Sequence, residues 1–86
     1  MKLTEIFGKA ISQYDSWNGD HKTIQVETIA MVDKEIIITG KGYYGNTQRI
    51  YIPSDLFENL LESGKAESRN EIDHCIVTKE WRIVDF

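Results

Sequence analysis

The sequence contains a single cysteine, Cys75, and a single proline, Pro53. The lone cysteine excludes an internal disulfide, so the core must hold without a covalent staple, as expected in a reducing compartment. There is no Pro-rich or Gly/Ser-rich linker at which the chain could divide, and residues 1–86 are expected to form one domain. No apolar run approaches membrane-spanning length, and the first residues, MKLTEIFGKAISQYDSW, lack the unbroken apolar stretch of a signal peptide. A cytoplasmic protein without membrane contact is the expectation. Bases are also scarce: 10 Lys and Arg against 14 Asp and Glu give a net charge of -4. That balance argues against a surface built to bind a phosphate backbone.

What is abundant is β-branched sequence. Residues 23–44, TIQVETIAMVDKEIIITGKGYY, carry Thr23, Ile24, Val26, Thr28, Ile29 and Val32, then Ile36, Ile37, Ile38 and Thr39, side chains that fit a pleated sheet better than a helix. Two strands are expected, turning at Asp33 and Lys34. Neither is the Gly that a tight turn prefers, so a turn of three or more residues is expected. The first strand begins with one polar face (Gln25, Glu27) and continues with apolar residues on that face (Ile29, Met31). Either a bulge near Glu27 and Thr28 swaps the faces, or the far end is covered on both sides; Ile36, Ile37 and Ile38 favour cover on both sides.

Elsewhere the pattern predicts two helices. Leu3, Ile6, Phe7, Ala10, Ile11 and Tyr14 recur at helical spacing. Pro53 and Ser54 precede a second helix over 55–63, with Ser54 as its N-cap, Leu56, Phe57, Leu60 and Leu61 as its buried stripe, and Gly64 as its stop. Residues 47–52 read as a third strand and 65–71 as a polar surface connection. The run 72–86, IDHCIVTKEWRIVDF, reads as one long bent strand, or as a hairpin turning at Lys79 and Glu80. The expected fold is therefore α+β, in the order α-β-β-β-α-β(-β), with two helices packed on one face of a single antiparallel sheet of four or five strands.

No catalytic or metal motif emerges. Gly40, Gly42 and Gly45 lack both the Walker spacing and the dinucleotide fingerprint, and suit a strand bending into a turn. His74 and Cys75, adjacent on a strand, point to opposite faces and cannot pair as base and nucleophile; Cys75 reads as a buried small hydrophobe. Two His and one Cys match no zinc pattern, and the loop residues Asp15, Asp20 and His21 read as a solvated connection. No cofactor, metal or catalytic residue is assigned, and a non-enzymatic role is expected. Lys41, Tyr43, Tyr44, Arg49 and Tyr51 interleave bases with aromatics, but the acidic balance weighs against direct nucleic-acid binding. Tyr43, Tyr44, Arg49 and Tyr51 remain a candidate surface for a small ligand or an enzymatic site.

Charge placement is the most informative feature. Acids and bases balance up to Pro53 and again from His74 onward, so the whole excess lies in residues 54–73. There Asp55, Glu58, Glu62, Glu67, Glu71 and Asp73 face only Lys65 and Arg69. Asp55, Glu58 and Glu62 fall on one stripe of the expected second helix. The six acids are the candidate partner-binding residues, and the partner they imply is a protein with a basic surface, such as a nucleic-acid-handling enzyme. Small size, a local acidic excess and no catalytic machinery are shared with inhibitors and immunity proteins of phages and mobile elements, a likeness of class without a motif. A homodimer through an exposed sheet edge is a further option.

Overall fold

A computed structural model describes residues 1–85. After a 3₁₀ turn at Leu3–Glu5 come β1 (Ala10–Asp15), β2 (Asp20–Val32), β3 (Glu35–Lys41), β4 (Thr47–Pro53), α1 (Ser54–Ser63), β5 (Lys65–Ile72) and β6 (Cys75–Val84). All six strands join one antiparallel sheet in the order β4-β3-β2-β1-β6-β5. The expected four or five strands with two helices are thus corrected to six strands with a single α-helix among the described residues. Both differences arise where local pattern and tertiary pairing disagree.

The first difference is at the N-terminal end, where a helix was expected over 3–14. Gly8 sits at φ 84, outside helical geometry, and hydrogen bonds link Gly8 N to the Val26 carbonyl (3.0 Å) and Val26 N to the Lys9 carbonyl (2.8 Å). From Ala10 the chain lies between β2 and β6 and gains a hydrogen-bonded ladder on each side. A helix would have aimed Leu3, Phe7 and Tyr14 inward; all three are exposed, while Ile6 and Ile11 are buried. A ladder on each side of the segment outweighs its local helical spacing, although Ile11 is the one β-branched residue of β1.

The second difference is at 65–71, which is strand β5 and not a surface connection. Only Ala66 on it is buried, so it carries almost no hydrophobic signal. Its hairpin with β6 turns at Asp73 and His74, both at positive φ (49 and 64); of the two readings of 72–86, the long strand holds from Cys75 to Val84, and Lys79 and Glu80 lie within it without a turn. Two consecutive positive φ values define a type I′ turn, which usually needs Asn-Gly or Asp-Gly. His in the second place hid it. The Asp33–Lys34 turn is where the sequence places it, but it is two residues long, with Asp33 at φ 58.

β2 carries the bulge, contrary to the preferred two-sided cover. Val26 pairs with Gly40 and Thr28 with Thr39, leaving Glu27 as the extra residue. The extra residue restores Ile29 to the core side, in line with Ile24 and Val26. A Cβ on Gly40 would collide with the carbonyl oxygen of Gln25, so the close approach of β3 at the bulge requires glycine there. The sheet also curls back on itself: Lys22 Nζ on β2 donates to the Arg49 carbonyl on edge strand β4 (3.2 Å), across the intervening β3.

One face of the sheet forms the core. Ile11, Ile24, Val26, Ile36, Ile38, Ile50, Ile52 and Trp81 meet Phe57 and Leu60 of α1 and Ile6 of the N-terminal segment. Trp81, 1% exposed, is opposite Ala66 and Gln13, and its Nε1 donates to Gln13 Oε1 (2.9 Å). No buried side-chain N or O among the described residues lacks a partner. No helix among them is long and apolar enough to cross a membrane.

Candidate partner-binding surface

α1 follows β4 directly, because Pro53 cannot extend the ladder. Its first residue is Ser54, preceded by Pro53 at the N-cap position without a side-chain cap, so Ser54 is not the cap. Gly64 ends it in the left-handed region (φ 78), its N–H bonded to the Leu60 carbonyl at 2.9 Å. Phe57 and Leu60 are buried and Leu56 and Leu61 half-buried, which turns Asp55, Glu58 and Glu62 outward. All three are exposed, and none takes part in an ion pair among the described residues. The helix dipole favours Asp55 in the first turn and opposes Glu62 in the last, where the N-terminal ammonium of Met1, donating to the Leu61 carbonyl (2.8 Å), supplies a positive charge. The stripe is a like-charge row, an arrangement that costs roughly 0.2–0.5 kcal/mol per pair in an isolated helix.

The other acids lie elsewhere. Glu67 and Glu71 alternate with the core-facing Ala66 and so occupy the outer face of the sheet; Glu67 is directly across from Glu80 and shares a groove with Asn59 and Ser63 of α1. Asp73 is in the turn at the far end of the β5–β6 hairpin. The six carboxylates contiguous in sequence are thus divided between two faces and a hairpin tip. On the same outer face Lys65 and Arg69 alternate with Glu67 and Glu71, and all four are exposed.

Tyr43 and Tyr44 occupy the loop between β3 and β4, with Tyr44 98% exposed, while Arg49 and Tyr51 lie on the outer face of β4. Tyr51 lines a cavity that Tyr43, Tyr44 and Arg49 do not line. That cavity is a cleft of about 840 Å³ between the end of the β5–β6 hairpin and the curled-back β3–β4 side of the sheet. Trp17, Val32, Tyr51 and Ile72 are among its walls, with Asp15, Asp33, Glu35, Lys34 and Lys79 as its charges. Its two sides come together only because the sheet curls, which is why sequence reasoning missed it.

Sequence reasoning also missed Ser12 Oγ, 2.7 Å from His21 Nε2 on the outer face of β1 and β2. With 3–14 read as a helix, no signal could have placed these two residues side by side. β1 is laddered on both sides, so its own amides are committed to the sheet and are not free to form an oxyanion hole beside the pair. Cys75 is exposed, correcting its expected burial. Among the described residues no three His, Cys, Asp or Glu side chains gather closely enough to hold a metal ion. Comparison with protein-family models, with curated proteins and with solved structures finds no match to this chain.

Proposed function

We propose that this chain is a non-enzymatic protein-binding module, acting in the cytoplasm as a small acidic inhibitor or immunity protein that docks on a basic nucleic-acid-handling protein. The observation that carries the proposal is the stripe Asp55, Glu58 and Glu62: three exposed carboxylates in one row of α1, none of them in an ion pair among the described residues. Such a surface offers a regular row of carboxylates to Lys and Arg side chains, speeds encounter, and loses strength as salt rises. Capture from host lysate at low and moderate salt, with the wild type beside Asp55→Lys/Glu58→Lys/Glu62→Lys, tests it. The wild type retains a basic protein that salt releases and the variant does not; equal retention by both contradicts the proposal.

A second reading, a small-ligand or enzymatic domain, is favoured by one observation, the cleft with Tyr51 on its wall. Its volume falls in the range of small-molecule sites. Tyr43, Tyr44 and Arg49 do not line it, so that reading would rest on Tyr51 and the neighbouring Trp17.

A further inference from the structure

We propose that β5 is an interface between two copies of this chain, joined edge to edge about a twofold axis through Ser68. The two edges of the sheet differ. β4 ends in Pro53, which has no amide hydrogen, and its Arg49 carbonyl is taken by Lys22. Among the described residues no strand pairs with β5 on its outer side, and Asn59 and Ser63 of α1 border it at Lys65 and Glu67.

The type I′ turn sets which main-chain groups are free. Ile72 and Cys75 close it as a hydrogen-bonded pair, so Ile72, Asn70, Ser68 and Ala66 direct their amides and carbonyls to β6. Lys65, Glu67, Arg69 and Glu71 direct theirs outward. No backbone partner meets the outward groups of Glu67, Arg69 or Glu71 among the described residues, and the Lys65 carbonyl accepts only the Ser63 hydroxyl (3.0 Å). A carbonyl has a second lone pair, so this edge can still accept a strand along its length.

Those same four residues carry the charges on the exposed outer face, in the order plus, minus, plus, minus. Antiparallel pairing with a second β5 centred on Ser68 puts Lys65 opposite Glu71 and Glu67 opposite Arg69, each pair occurring twice. All four positions are then hydrogen-bonded positions, so charge and main-chain register agree. Sliding the second strand by two residues in one direction sets Glu67 against itself and Lys65 against Arg69. Sliding it the other way sets Arg69 against itself and Glu67 against Glu71. Charges that merely guard an edge against pairing need no alternation. Here the alternation makes one register self-complementary and the two nearest registers repulsive.

The test is a charge swap read by sedimentation equilibrium, with circular dichroism confirming that each chain is folded. The wild type is a dimer whose dissociation constant rises with salt. Glu67→Lys/Glu71→Lys and Lys65→Glu/Arg69→Glu each give an outer face of one sign, and each weakens self-association by about tenfold or more. Mixed together, the two variants restore a dimer, now a heterodimer. A wild type that remains monomeric at millimolar concentration overturns the proposal. So does a dimer that neither variant weakens, or a mixture that associates no better than its components.

Discussion

The outer stripe of α1 and the outer face of β5 draw on the same local excess of acid, yet they present it in opposite ways. On α1 the helical repeat brings Asp55, Glu58 and Glu62 into one row with no base among them. On β5 the two-residue repeat sets Glu67 and Glu71 on one face with Lys65 and Arg69 interleaved. The first arrangement complements a basic surface and repels a copy of itself. The second complements its own reverse. Secondary-structure period, more than charge count, decides what a charged segment can recognise.

That contrast depends on one core supporting both surfaces, so the largest effect comes from removing their common support. Trp81 underlies Ala66 of β5 and belongs to the same buried cluster as Phe57 and Leu60 of α1. Trp81→Ala is expected to cost about 4 kcal/mol and to leave the Gln13 amide oxygen without its donor. Urea denaturation measures it, and a cost below about 1 kcal/mol would show that the core does not converge there.

Next in size is Gly40→Ala, on the opposite side of the sheet. The new methyl meets the Gln25 carbonyl, a rigid main-chain neighbour, so β3 must move away from the bulge at an expected cost of about 3 kcal/mol. The same denaturation series reads it, and wild-type stability would mean that the close approach is not maintained in solution. The smallest effect is expected at the closed edge. Lys22→Met removes the donor to the Arg49 carbonyl in an exposed position and should lower stability by about 1 kcal/mol. An unchanged urea midpoint would show that β4 is closed by Pro53 and the curl of the sheet alone.

The elements legible in the sequence are those whose local and tertiary preferences coincide. β3 has Ile36 and Ile38 inward beside β-branched neighbours, and α1 has a continuous stripe from Leu56 to Leu61 followed by Gly64; both are found as the sequence places them. β1 was hidden because Ile6, Ala10 and Ile11 fall at helical spacing, while Ala10 and Ile11, both buried though adjacent, break the alternation of a strand; only the ladders to β2 and β6 reveal it. β5 was hidden because it buries one small side chain, and the ladder that defines it depends on a turn without glycine. The candidate surface was half legible for the same reason. The helix acids could be grouped from spacing, whereas Glu67, Glu71 and Asp73 could not be separated from them until 65–72 was known to be a strand. The cleft, which depends on the curl of the sheet, left no trace in the linear pattern.

The most direct measurement captures the partner with two variants side by side, Asp55→Lys/Glu58→Lys/Glu62→Lys and Glu67→Lys/Glu71→Lys, each also sized by sedimentation. The account predicts that the helix variant loses the basic partner but still dimerises, and that the strand variant keeps the partner but fails to dimerise. If the helix variant keeps the partner, or if both variants lose it in proportion to the charge reversed, recognition does not reside in the α1 stripe and the account is wrong.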